Sequence, residues 1–184
     1  MFPLLLLSSF IACSDGDTAA KPARKDVVLT SNKHPEANAD DFSQKSFICC
    51  DTQEASALLE RYLAVTKAMA ADDDGKTKTA VAALANLVNE EPSLYAADAS
   101  LKELQKGSAY WKTLSRKDIQ ADFKEASQAM IDYAKKHQSE KGITVITAYC
   151  PMADSNTGGR WLQTEKTISN PYFGSMMLTC GVFE

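Results

Sequence analysis

Apolar positions recur at helical spacing through most of the chain and switch to a β-type pattern near its end. Ala55, Leu58, Leu59, Tyr62, Leu63, Thr66 and Met69 fall at steps of three and four, which puts them on one helical face. Asp51, an N-cap type with Glu54 three positions on, predicts where that helix starts, and Asp72-Asp73-Asp74-Gly75 predicts where it ends. A second helix, from about Thr77 to Asn89, turns Ala80, Val81, Leu84, Leu87 and Val88 inward and stops before Pro92. A shorter helical piece is expected around Leu94 to Gln105, broken at Gly107. Ser115, with Asp118 at the third position, caps a helix over Arg116 to His137, whose inner face is Ile119, Phe123, Ala126, Met130, Ile131 and Tyr133.

After Gly142 the period changes. Ile143 to Tyr149 is rich in β-branched residues and reads as a strand. Trp161-Leu162 and Leu178 to Val182 read as further short strands on either side of loop-forming segments. The fold class expected is mainly α: an antiparallel helical bundle with a small irregular C-terminal β/loop region. Phe47-Ile48-Cys49-Cys50 marks the start of packed chain, so the folded domain is expected over 47–184.

The stretch before it has a different character. From Ser14 to Ser46 the chain is polar and charged and cannot bury enough apolar surface to offset ordering, which predicts a flexible tether with a reach of roughly 30 Å. Met1 to Ile11 is almost wholly apolar, about half the roughly 20 residues of a membrane-spanning helix, and fits the apolar region of a secretory signal. It runs into Phe10-Ile11-Ala12-Cys13 and then Ser14-Asp15-Gly16-Asp17, which resembles a bacterial lipobox. That resemblance implies a signal peptide over 1–12 and lipidation of Cys13 at the head of a tether over 13–46. The periplasmic face of a bacterial membrane would then be its location, and Ser14 after the cysteine resembles the outer-membrane pattern.

Composition adds limits. The chain has 184 residues, 45% hydrophobic and 24% charged, which suits one domain with appendages. Its net charge of -4 offers no basic footprint for nucleic acid, so none is expected as a partner. Asp72 to Asp74 lack the alternating pattern of a calcium loop and read as a turn with favourable charge for the next helix. His34 reads as a solvated residue of the tether, and His137 as helix-terminal charge. No Ser-His-Asp set, phosphate loop or acid–base carboxylate motif is present, so the protein is not expected to be an enzyme.

The candidate chemistry is in the sulfur. Of 5 cysteines, lipidation would consume Cys13 and leave Cys49, Cys50, Cys150 and Cys180, an even set that favours disulfides in an oxidising compartment. Cys150 with Cys180 is the obvious pair; closing a loop of about 30 residues would stabilise the fold by about 3–4 kcal/mol. Cys49 and Cys50 stay open between core packing, a bond to another cysteine and a ligand role. The same C-terminal segments carry Met152, Met176 and Met177. Two thiols and several thioethers suit a soft monovalent ion, Cu(I) or Ag(I), better than zinc, for which histidine and paired Cys-x-x-Cys ligands are lacking. On spacing alone, a metal site of Cys150, Met152, Met176, Met177 and Cys180 and a disulfide with methionine core filler both stand.

Four segments carry a resemblance: Tyr149-Cys-Pro-Met-Ala153, Gly159-Arg-Trp-Leu-Gln163, Asn170-Pro-Tyr-Phe-Gly174 and Met177-Leu-Thr-Cys-Gly181. Together they resemble a bacterial domain-of-unknown-function family whose members occur as exported proteins and as C-terminal appendages of CusB-type heavy-metal efflux adaptors. The resemblance covers the chain from about Asp51 onward. It implies periplasmic copper and silver handling, with Cys150, Met152, Met177 and Cys180 as matching sulfur positions and Trp161 beside them. The function expected is an exported lipoprotein that binds Cu(I) or Ag(I) for sequestration or for transfer to an efflux or metallochaperone protein. The alternative is a disulfide-stapled, membrane-anchored protein-interaction domain without metal.

Overall fold

The computed structural model describes residues 39–90, 98, 101–111 and 116–184. The expected signal segment, Cys13, His34, the tether up to residue 38, Leu94 to Ala97 and the Ser115 cap lie outside those residues.

The described chain is mainly helical with a small antiparallel sheet. In order, it forms α1 (Ala39–Lys45), β1 (Phe47–Cys49), α2 (Gln53–Ala70), α3 (Asp74–Glu90), α4 (Leu101–Trp111), α5 (Arg116–Lys136), β2 (Ile143–Cys150), β3 (Gly159–Gln163) and β4 (Val182–Phe183). Among the described residues, α1 already packs ahead of Phe47. Phe42 explains the difference: it is the one large apolar residue of α1, it is buried, and it meets Phe183 edge-on at 5.9 Å.

The apolar faces expected for α2, α3 and α5 are the buried ones. The helix boundaries are set by chemistry that periodicity does not see. Thr52, not Asp51, caps α2: its backbone is extended and its Oγ1 accepts the Ala55 N–H at 3.2 Å. At the other end, Asp72 N–H donates to Met69 O and Asp73 N–H to Ala68 O, both at 3.2 Å, the paired bonds of a left-handed helix end. Asp73 then starts α3 by accepting the Lys76 N–H on Oδ1 at 2.9 Å. Gly107 does not break its helix. It sits inside α4 because the Trp111 indole lies over it, within 2.9 Å of where a Cβ would be.

The C-terminal β region is regular, not irregular. β2 is its central strand and every pairing is antiparallel. β3 pairs with Ile146 to Cys150 along one edge. β4 pairs with Ala148 and Tyr149, positions β3 also uses, so it takes the opposite edge, where β1 pairs with Ile143 to Val145. Of the expected last strand, Leu178 to Val182, only Val182 is in β4.

Aromatic rings join helices to sheet. Phe123 of α5 stacks on Tyr62 of α2 at 5.9 Å, touches Trp111 of α4 at 6.1 Å and meets Tyr172 at 5.5 Å; Tyr172 in turn meets Trp161 of β3 at 6.0 Å. Tyr62 adds a polar link. Its hydroxyl accepts the Leu162 N–H at 3.2 Å and shares a hydrogen bond with Ser127 Oγ, so α2, α5 and β3 meet at one buried oxygen. Burial pushes this phenol well above its ordinary range.

Candidate sulfur site

Cys150 ends β2, opposite Gly159 of β3, and is wholly buried. Cys180 lies on the segment returning toward β4 and is half-buried. Their sulfurs are 3.0 Å apart, and both are thiols. Burial, and next the neighbouring Cys150 thiol, push the Cys180 thiol up to about 11. Packing has thus brought together the two cysteines that spacing singled out.

Two loops present these cysteines. The first, Pro151 to Gly158, turns tightly because Asp154, Ser155 and Asn156 all take left-handed φ, at 48°, 55° and 69°. Lys124 of α5 ties it down, donating to Asp154 Oδ2 at 3.0 Å and Thr157 Oγ1 at 2.7 Å. Gly159 lets the Tyr172 ring close over the loop, since a Cβ there would fall 2.5 Å from that ring.

The second loop runs from Asn170 to Cys180 and is closed by Asn170, which is wholly buried. Its Nδ2 donates to Cys180 O at 2.7 Å, its Oδ1 accepts the Tyr172 N–H at 2.8 Å, and its own N–H donates to Leu178 O at 2.8 Å. Two outside groups hold the loop's far side. Gln120 Nε2 donates to the carbonyls of Pro171 and Tyr172. Asp72 Oδ2 accepts the Ser175 N–H at 2.6 Å. Gly174, at φ 56°, is needed for that approach, because a Cβ would lie 2.0 Å from Asp72 Oδ1.

Beneath the second loop lies β3. Trp161 is buried and donates its indole N–H to Gln163 Oε1 at 2.9 Å; its ring comes within 3.1 Å of where a Cβ on Gly181 would be. Gln163 also donates to Glu165 O and Thr167 O, at 2.8 and 2.7 Å, so it organises the turn leading into the loop. Trp161 is a packing platform under Cys180–Gly181. Spacing did not reveal Asn170, Gln163, Asp72 or Gln120 as positioning residues; the run of Asn170 through Gly174 was the one visible hint.

The methionines divide. Met152 is 42% exposed and Met176 78% exposed, so neither is core filler; Met177 is half-buried, less exposed than either. Leu178, 41% exposed, adjoins them on the second loop. Among the described residues no cluster of three or more His, Cys, Asp or Glu could hold a metal ion.

Cys49 and Cys50 are elsewhere. Cys49 pairs with Ile143, the first residue of β2, while Cys150 is its last. Seven strand steps at about 3.4 Å separate the two sulfur pairs by roughly 24 Å. His137 belongs to the distant end too, its ring 4.3 Å from that of Tyr133 and its carbonyl accepting the Cys50 N–H. Among the described residues no helix is long and apolar enough to cross a membrane. No protein-family model, curated protein or solved structure matches the chain.

Proposed function

We propose that this is an exported, membrane-anchored protein that binds a soft monovalent ion, Cu(I) or Ag(I), at Cys150 and Cys180. The observation that carries the reading is that two thiols 30 residues apart lie 3.0 Å from each other, with exposed thioethers on the same two loops. A buried methionine side chain gains about 1.5–3 kcal/mol from leaving water, so loops that keep Met152 and Met176 in solvent forgo that gain. Polarisable sulfur at the surface offers a soft ion its first contact, and the thiol pair offers the stronger hold. The donor set fits such an ion: Cys150 and Cys180 as thiolates, and Met152, Met176 and Met177 as neutral ligands that need lose no proton.

The rest of the proposal follows from the sequence. The helices serve as an antiparallel bundle that fixes the two loops. Cys13 carries lipid and the following segment tethers the domain at the periplasmic face of the membrane. The role is sequestration, or transfer to an efflux or metallochaperone partner, and not catalysis.

A second reading has its own support. At 3.0 Å the sulfurs are closer than the roughly 3.7 Å between two ligands each about 2.3 Å from a tetrahedral ion. Oxidation would turn them into a staple for a protein-interaction domain that holds no metal. Anaerobic Cu(I) titration of the reduced protein against a competing chelator separates the two. Metal binding predicts one tightly held ion, weakened at least about a hundredfold, roughly 2.7 kcal/mol, by Cys150→Ser and less by Met176→Leu. Absence of chelator-competitive binding in the native protein would leave the staple.

A further inference from the structure

The thiols at the far end of β2 also form a pair. Cys50 Sγ lies 3.1 Å from Cys49 Sγ, and both residues are wholly buried. Neighbouring residues do not ordinarily meet in this way. Successive side chains of a strand point to opposite faces, and adjacent Cα atoms, about 3.8 Å apart, are closer than the 4.4–6.8 Å that disulfides usually span.

The chain overcomes the first obstacle at Cys50, whose φ is 64°. A non-glycine residue takes that left-handed conformation only where its surroundings impose it. Here they do. Cys50 N–H donates to His137 O at 3.0 Å, and Ser139 N–H donates to Ile48 O at 3.1 Å. Cys49 bridges to Gln138, and Gly142, at φ 120°, lies so near that a Cβ would be 2.2 Å from Cys49 O. The stretch after α5 thus grips the β1–α2 turn along its backbone. Cys50 is part of the core, and there its strained backbone sets its sulfur beside that of Cys49.

We propose that Cys49 and Cys50 are a redox site of their own, which closes to a vicinal disulfide by exchange with a low-molecular-weight disulfide. The Cys49 thiolate attacks one sulfur of that disulfide, whose S–S bond breaks and releases one thiolate. The Cys50 thiolate then attacks Cys49 Sγ in the mixed disulfide and expels the second. Two cysteine sulfurs are oxidised, one small disulfide is reduced to two thiols, and the two cysteine protons pass to the departing thiolates. The order of attack follows the contact between the pair. The Cys50 thiol donates to Cys49 and holds the Cys49 thiol below its ordinary range, while that contact and then burial push Cys50 up. Both cysteines are wholly buried, so the reagent reaches them only when the β1–α2 turn opens. Ring closure adds a covalent lock to a turn that the backbone already holds.

The site is independent of any metal at Cys150 and Cys180, and its test reads a separate peptide. The full chain, in chelator, is equilibrated with glutathione buffers of stepped disulfide content, folded and in urea, then alkylated, digested and weighed. In the folded chain the peptide holding both cysteines is expected two hydrogens lighter, with an oxidation constant at least about tenfold above that in urea, because folding holds the sulfurs together. Cys50→Ser is expected to trap glutathione on Cys49. A constant in the folded chain no greater than in urea overturns the proposal. So does a bond from Cys49 or Cys50 to Cys150 or Cys180.

Discussion

Asp72 ends α2 in a left-handed conformation, and from there its Oδ2 accepts the Ser175 N–H at 2.6 Å, 103 residues along the chain. Glycine or asparagine is the usual residue at such a helix end. Aspartate accepts the backbone strain and in return reaches the loop that carries Met176, Met177 and Cys180.

Asp72→Gly separates those two roles. Glycine relieves about 1 kcal/mol of strain at the helix end, while loss of a charge-assisted hydrogen bond costs about 1.5–3 kcal/mol. Net destabilisation of about 1 kcal/mol is expected in urea unfolding, with faster amide exchange at Ser175 to Met177 and unchanged exchange in the middle of α2. Unchanged exchange at Ser175 would show that Asp72 is only a helix end.

Asn170 closes the same loop. Replacing it with alanine leaves the Tyr172 N–H and Cys180 O without their partners. A loss of about 3 kcal/mol is expected, at about 1–3 kcal/mol per buried group left unpaired. Asn170→Asp keeps the acceptor and loses the donor, so it should fall between alanine and the native residue. Equal stability of all three proteins would refute the clamp. Cu(I) affinity, measured while each variant is still folded, should fall in the same order.

Tyr62→Phe tests the oxygen shared by α2, α5 and β3. The ring remains to stack on Phe123, but the Leu162 N–H and Ser127 Oγ lose their partner in a buried place. The expected cost is about 1–3 kcal/mol by chemical denaturation, with little effect on Cu(I) binding to the folded protein. A neutral substitution would mean that water replaces the hydroxyl.

Proton competition gives the metal reading a pH signature. The Cys180 thiol, pushed up from 9.0 to about 11, keeps its proton at neutral pH and must lose it to bind as a thiolate. Apparent Cu(I) affinity should therefore rise about tenfold per pH unit, on this proton alone, until pH approaches about 11. The same shift acts on folding. A thiol that holds its proton more tightly when folded contributes stability that is complete below its unfolded value of 9.0 and is lost as pH rises through about 11. Reduced protein should weaken across that window. A pH-independent affinity would exclude a Cys180 thiolate ligand.

How far the chain could be read before folding is clearest residue by residue. Leu58, Tyr62, Val81, Phe123 and Met130 could be assigned to the interior, and they are buried, because amphipathic period is a local property. Ile143 to Tyr149 could be assigned to a strand on the same ground. Gly107 was misread as a helix breaker because its partner, Trp111, packs on it across one turn. Asp51 was misread as a cap because Thr52 has the backbone and hydroxyl geometry that capping needs. For α1, one phenylalanine in a polar segment was too small a signal.

By itself the sequence determined which residue types were available, sulfur above all, and which faces of the long helices would leave water. Tertiary structure decided which sulfurs are neighbours: Cys150 with Cys180 at one end of β2, and Cys49 with Cys50 at the other. The physical reason is one of range. Helical and strand periodicity arise within a few residues, whereas a contact across 30 or 103 residues exists only once packed rings, a buried asparagine and a helix-end carboxylate have set the loops in place.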